Sequence, residues 1–290
     1  MASPPDFLAA LTGSLSQGAA GNPTVAMIEA AYAHHGLHWR YVNMEVTPAE
    51  LGAAVRGLRA VGFRGFNCSL PHKVTVIEHL DGLGESAAVM GAVNCVVLRD
   101  GKLIGENTDG KGFLESLRTA TDPRGKRVVL FGAGGAARAI AVELALAGAA
   151  RIDVVNRSAG RGGELAALLR DRVRVAAEHI PWRGDHAVPA DAEIVVNATS
   201  IGLYDAEASL PLDVGSLRPE LVVADVIGNP PRTRLIRAAE ARGCRTLDGL
   251  GMLVNQGAVA IRFWTGVDPD VAVMRRALER ALGLSASEPR

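Results

Sequence analysis

Lysine, aromatic residues and cysteine are all scarce in this chain of 290 residues, and its charges cancel at 31 basic against 31 acidic. A balanced charge gives no overall field toward nucleic acid or an anionic membrane surface, so neither is an expected partner. The cysteines, Cys68, Cys95 and Cys244, are three in number and far apart. With no CxxC and no Cys/His ligand cluster, they suggest neither a disulfide framework nor a zinc site, and no metal is expected. No apolar run approaches the length of a membrane span, and no basic segment leads into one. The expected compartment is therefore the reducing cytoplasm. Only four basic residues are lysines (Lys73, Lys102, Lys111 and Lys126), a bias that base composition explains. Hydrophobic residues, by contrast, make up 48% of the chain, and there are 33 glycines. That balance fits an α/β protein of small, closely packed units.

The hydrophobic pattern alternates strand-like and helix-like stretches. Strands are expected at residues 7–11, 39–46 and 65–69, with helices at 25–33, 48–61 and from 73 onward. A hairpin over 92–99 and 102–106 turns at Asp100-Gly101. After the turn-rich join Thr121-Asp122-Pro123-Arg124-Gly125, a second series begins. Its strands are expected at 127–131, 151–155, 193–197, 221–226 and 245–247. Helices at 136–146, 163–169 and after Arg232 separate them, and two amphipathic helices close the chain at 252–266 and 269–282. This rhythm describes an α/β protein of two domains: a substrate domain (residues 1–110) completed by returning C-terminal helices (246–290), and an inserted nucleotide-binding domain (111–245).

The clearest single motif follows the strand at 127–131. Gly132-Ala133-Gly134-Gly135-Ala136-Ala137 fits G-x-G-x-x-G/A in its required setting, between a buried strand and an apolar helix. Gly132 permits the turn, Gly134 lets a pyrophosphate approach the backbone, and Ala137 keeps the helix close to the strand. The N–H groups of the first helical turn, around Gly135 and Ala136, face the phosphates. The next strand ends in Asn156-Arg157-Ser158. An acidic residue there would hold the ribose hydroxyls of NAD, but Arg157 instead suits the 2′-phosphate of NADP, with Arg161 as a helper.

Three polar segments punctuate the first domain: Asn67-Cys68-Ser69-Leu70-Pro71-His72-Lys73, then Ala92-Val93-Asn94, then Asn107-Thr108-Asp109-Gly110. Beyond the glycine loop come Asn197-Ala198-Thr199-Ser200-Ile201-Gly202 and Asp248-Gly249-Leu250-Gly251-Met252-Leu253-Val254-Asn255-Gln256. In this order, and with Gly132-Ala133-Gly134-Gly135-Ala136 and Asn156-Arg157-Ser158 between them, the segments resemble the shikimate dehydrogenase family. Within them, Ser69 and Ser158 each stand where the family has a threonine.

The resemblance implies a Rossmann domain binding NADP and reversible hydride transfer between its nicotinamide and a ring hydroxyl, as in aromatic amino acid biosynthesis. It implies Lys73 and Asp109 as the catalytic pair, and Asn67, Ser69, Asn94 and Gln256 as substrate contacts. Thr199, Ser200, Gly249 and Met252 would lie along the nicotinamide. The chemistry is sound on its own terms. Alcohol oxidation must release a proton and ketone reduction must take one up. An ammonium stabilises charge developing on the oxygen, while a carboxylate holds hydroxyl and lysine in place. Either member of the pair can be the formal base.

One corner departs from the family. Its Ser-x-Ser-Pro-x-x-His segment, whose hydroxyls grip the substrate carboxylate, reads Ala20-Gly21-Asn22-Pro23-Thr24-Val25-Ala26 here. Ser14-Leu15-Ser16 has the right form six residues too early. A family tyrosine that also contacts the carboxylate follows the Asp-x-Val strand, where this chain has Gly228. The expected partner is a cyclic polyol or hydroxy acid, in a chain expected to be monomeric or homodimeric. Quinate, aminoshikimate or a ring without a carboxylate are alternative substrates. A non-catalytic NADP-binding regulator is the alternative from another class, and the intact Lys73 and Asp109 argue against it.

Overall fold

The computed structural model describes residues 7–284. They form two compact units, one comprising the described residues up to Thr108 together with those from Gly257, the other Asp109–Gln256.

The first unit is built on a six-stranded mixed sheet of β1 (Ala10–Ser16), β2 (Trp39–Glu45), β3 (Gly65–Cys68), β4 (Gly82–Leu83), β5 (Cys95–Arg99) and β6 (Lys102–Glu106). Its spatial order is β2-β1-β3-β5-β6-β4. The β2-β1-β3 part is parallel, while β5 pairs antiparallel with both β3 and β6. Helix α1 (Thr24–His34) follows β1, α2 (Leu51–Ala60) follows β2, the short α3 (His72–Thr75) follows β3, and α4 (Glu85–Met90) precedes β5. Leu15, Val55, Phe66, Cys68 and Val96 form the core beneath α2.

The first strand corrects the sequence expectation. It runs from Ala10 to Ser16 rather than over 7–11, and Phe7 and Leu8 are 86% and 82% exposed. The reason is chemical. Thr12, Ser14 and Ser16 alternate with Leu11, Gly13 and Leu15, so only one face of the strand is apolar, and the polar face is fully buried. Thr12 Oγ1 bonds Tyr32 Oη at 2.9 Å and Ser14 Oγ donates to Asn43 Oδ1 at 2.9 Å. Buried polar groups survive when they are paired in this way.

The second unit is an all-parallel sheet of β7 (Arg127–Phe131), β8 (Arg151–Asn156), β9 (Ala176–Pro181), β10 (Ile194–Asn197), β11 (Val222–Asp225) and β12 (Arg245–Leu247). The order β12-β11-β10-β7-β8-β9 is the doubly wound Rossmann arrangement, whose chain reverses direction between β7 and β10. Helices α5 (Thr108–Arg118), α6 (Gly135–Leu146), α7 (Ala159–Leu168), α8 (Arg234–Ala241), α9 (Gly249–Thr265) and α10 (Val271–Ala281) complete the chain. The division between units falls inside α5 and α9. The residues of α9 beyond Gly257 pack with the first unit, where Trp264 Nε1 donates to Val96 O at 3.0 Å. No helix among the described residues is long and apolar enough to cross a membrane.

Candidate active site

In an open parallel sheet, ligands bind beyond the carboxyl ends of the strands at the reversal point. In the second unit that place holds a cavity of about 280 Å³. Among its walls are Gly132, Gly134, Asn156, Arg157, Arg161, Thr199 and Ser200, all expected from the sequence. Gly132 has φ +107, and a Cβ there would meet Ala198 O at 2.7 Å, so the turn requires glycine. At Gly134 a Cβ would meet nothing within 4 Å, which leaves the loop open on the side where a phosphate approaches. Gly135 and Ala136 open α6. Ala137 is fully buried, which seats α6 against the sheet.

Around the cavity the chain fixes itself. Asn156 Nδ2 donates to Ser158 O at 2.9 Å, and Ser158 caps α7 by accepting from the Arg161 N–H. On the other side, Asn197 accepts from Thr199 Oγ1 at 2.7 Å and donates to Asp225 Oδ1 at 3.0 Å. Asp225 is 2% exposed and also accepts from Thr233 Oγ1 at 2.7 Å. Burial raises its pKa, against hydrogen bonds that pull it down. Trp182, which the sequence reading missed, forms part of the wall. Its indole N–H is tied to Pro211 O at 2.8 Å and its ring meets Phe131 edge-on. Gly249 and Met252 lie in the first turn of α9, outside this lining; Gly249 packs directly on the Val226–Ile227 backbone. These residues fit a dinucleotide. A glycine cradle stands at a helix start, and two arginines stand beyond the second strand.

The first unit gathers Asn67, Ser69, Lys73 and Asn94 at the carboxyl end of β3. Asn67 Oδ1 accepts from Tyr41 Oη at 2.8 Å, and its Nδ2 donates to Asn94 O at 3.0 Å. Lys73 O accepts the Val93 N–H at 2.7 Å, and the neighbouring His72, fully buried, donates from Nε2 to Val46 O at 2.9 Å. The turn that carries Lys73 is thereby anchored on two sides. Burial pushes the Cys68 thiol up to about 12, with Lys73 pulling the other way, so this cysteine is held as a thiol. Asn94 accepts the Thr108 N–H through Oδ1 at 2.6 Å and donates to Thr108 Oγ1 at 3.0 Å. It therefore fixes the residue immediately before Asp109.

Asp109 and Gln256 belong to the second unit, on α5 and α9. Those helices meet so closely that a Cβ on Gly112, one turn after Asp109, would fall 2.4 Å from Gln256 N. Gln256 donates from Nε2 to Leu253 O at 3.1 Å.

The divergent corner follows β1. Asn22 donates from Nδ2 to Ser14 Oγ at 3.3 Å, accepts the Thr24 N–H at 3.0 Å, and its carbonyl accepts from Asn43 Nδ2 at 3.0 Å. Both carboxylate oxygens of Glu45 are engaged as well, by the Gly18 N–H at 2.8 Å and the Ala19 N–H at 2.7 Å. Those two bonds lower the Glu45 pKa below the usual carboxylate value. Gly228 has room, its nearest Cβ neighbour being Leu250 Cδ2 at 3.8 Å. Of the three tyrosines, Tyr32 and Tyr41 are buried in the first unit. Tyr204 is exposed, and its N–H bonds Asn229 O, next to Gly228.

Comparison with known proteins converges on one family. Residues 22–96 match the shikimate dehydrogenase substrate binding domain, and residues 249–279 match the shikimate 5'-dehydrogenase C-terminal domain. Shikimate dehydrogenase (NADP(+)) of Methanopyrus kandleri is 44% identical over 258 residues, covering 87% of this chain and 89% of that protein. Among solved structures, 5-ketofructose reductase of Gluconobacter sp. strain CHM43 is 57% identical with a TM-score of 0.93, covering 95% of this chain and 99% of that one. Shikimate 5-dehydrogenase of Thermus thermophilus, solved with NADP(H) and shikimate, is 35% identical with a TM-score of 0.80, covering 94% and 99%. The chain belongs to the shikimate dehydrogenase family of NADP-dependent oxidoreductases.

Proposed function

We propose that this enzyme reduces a neutral, polyhydroxylated ketone of the 5-ketofructose kind, reversibly and with NADPH. The observation that carries this reading is the corner after β1. Where the family places two serine hydroxyls for a carboxylate, this chain has Ala20, which offers no donor, and Asn22, whose side chain is bonded to Ser14 and Thr24. Gly228 supplies no phenol. Hydrogen bonds to a charged group contribute roughly 1.5–3 kcal/mol each, so losing two or three outweighs what the remaining contacts to a ring acid regain. The 57% identity to a 5-ketofructose reductase supports the same conclusion.

Gly132, Gly134 and the first turn of α6 would hold the pyrophosphate, Arg157 and Arg161 the 2′-phosphate. Thr199, Ser200, Gly249 and Met252 would flank the nicotinamide. When bound, NADPH supplies the hydride. Lys73 stabilises the negative charge that builds on the ketone oxygen, and Asp109 orients lysine and hydroxyl. The pair delivers the proton that completes the alcohol and takes it back in the oxidative direction. Asn94, itself bonded by Asn67, supports this arrangement by fixing the residue before Asp109. Ser69 and Gln256 contact the remaining hydroxyls.

Steady-state assays with NADPH and 5-ketofructose or 3-dehydroshikimate, and with NADP and shikimate or quinate, test the reading. The expected result is a kcat/KM for the neutral ketone about 10²-fold or more above that for the ring acid, the scale of two lost charge-assisted bonds. A preference for 3-dehydroshikimate would overturn it. That second reading has its own support in the substrate-domain match over residues 22–96 and in the curated relatives. A catalytically silent regulator would show cofactor binding with no turnover of any of these compounds.

A further inference from the structure

Two rows of side chains cross the parallel part of the first sheet on one face. The register pairs Ser14 with Asn43 on one side and Asn67 on the other, and side chains two apart on a strand share a face. One row is therefore Asn43, Ser14 and Asn67. The next, toward the carboxyl ends, is Glu45, Ser16 and Ser69; Ser16 pairs with Glu45, and the Ser69 N–H bonds Leu15 O. The inner row is satisfied within the protein. The outer row differs. Ser16 is 4% exposed, yet its Oγ has no hydrogen-bond partner. Its neighbour Glu45 is held as an anion against the amides of Gly18 and Ala19, next to Ala20, where the family's first carboxylate-binding serine would stand.

From this we infer that Glu45 is a specificity-determining residue: its fixed negative charge excludes ring substrates that carry a carboxylate, while neutral hydroxyls meet no such repulsion. The inference rests on the neutral-ketone reading and deepens it. A carboxylate brought to this loop would meet a like charge and would find the Gly18 and Ala19 amides already taken. A neutral hydroxyl meets no like charge. Position 20 alone does not account for the discrimination, because restoring a serine there leaves both obstacles in place.

The test compares the wild type with Glu45→Gln, which keeps an oxygen acceptor for the loop and removes the charge. The expected result is a rise of about tenfold or more in the ratio of kcat/KM for 3-dehydroshikimate to that for 5-ketofructose, the scale of one like-charge contact relieved. Shikimate inhibition of the wild type should tighten with added salt relative to Glu45→Gln, because salt screens only the repulsion that the variant lacks. A ratio within about threefold of wild type, in a variant with unchanged melting temperature, overturns the inference. Should Glu45→Gln fail to fold, an Ala20→Ser, Asn22→Ser double variant with Glu45 retained gives the answer. Full gain of ring-acid activity in that variant overturns the inference, and persistent exclusion supports it. The two readings fail separately. A wild type that prefers the ring acid defeats the neutral-ketone reading, whereas a wild type that prefers the ketone with an unmoved ratio in Glu45→Gln defeats only the role of Glu45.

Discussion

The segments that follow β1 and β7 make an instructive pair. Each leaves the first strand of its sheet at the carboxyl edge and turns through a glycine with positive φ, Gly18 at +80 and Gly132 at +107. After β7 the turn leads straight into α6, whose first N–H groups have no partner within the helix, and the open space at Gly134 gives an external anion access to them. After β1 the equivalent amides are closed off by the chain's own carboxylate, Glu45. A glycine with positive φ thus leads to accessible amides in one unit and to satisfied ones in the other.

The largest expected effect would break this comparison at its catalytic end. Lys73→Ala and Asp109→Ala should each lower kcat by about 10²-fold or more, the usual scale for an acid/base group. Melting temperature and NADPH affinity should barely change, as thermal unfolding and a binding titration would show. Wild-type turnover in either variant removes that residue from the chemistry, and loss of folding in both would make the pair structural.

A smaller effect sharpens the receptor side. Arg157→Ala should cut kcat/KM with NADPH by about tenfold or more while leaving NADH nearly untouched, because charge-assisted bonds to a 2′-phosphate contribute roughly 1.5–3 kcal/mol. Parallel kinetics with both cofactors decide this; an equal loss with each would assign Arg157 to folding.

The smallest effect concerns the closed side, where buried acids lie beneath the polar rows. Cys68 is held as a thiol up to about 12, whereas the unfolded chain releases that proton near ~8.5. A raised acid pKa means that the folded state keeps more protons. Its contribution is therefore complete below the unfolded value and is lost as pH climbs toward the folded one. Tyr32 and Tyr41, also raised by burial, add to the loss in stronger alkali. Urea midpoints should fall between about pH 8.5 and 10, with a slope shallower by about one proton in Cys68→Val. An unchanged slope in that variant would assign the alkaline loss to other groups.

Much of the nucleotide unit was legible because its signals are local. A buried strand, a glycine turn and an arginine after the next strand lie within about 30 residues, as the βαβ unit requires. What escaped was non-local or disguised. β9 (Ala176–Pro181) is an edge strand with polar alternation that ends in proline, so it lacks the apolar run that marked its neighbours. Trp182, just beyond it, belongs to no motif and reaches the cavity only through the sheet order. Glu45 reads in sequence as a solvated strand end, since nothing local indicates that parallel pairing brings it to amides 26 and 27 residues earlier. The same kind of distant pairing underlies the later start of β1, whose polar face is satisfied by Tyr32 and Asn43, 20 and 29 residues away.

Trp182 also equips the molecule with an optical probe. The chain has three tryptophans, and Trp39 and Trp264 belong to the first unit, so the second unit's indole emission comes from Trp182 alone. Its hydrogen bond to Pro211 and its contact with Phe131 hold the ring in the wall of the cavity beyond β7 and β10. Occupancy of that cavity is therefore expected to alter the protein's own fluorescence. A dinucleotide entering it should quench the emission, and Trp182→Phe should silence that response, giving a binding readout that needs no substrate and no turnover.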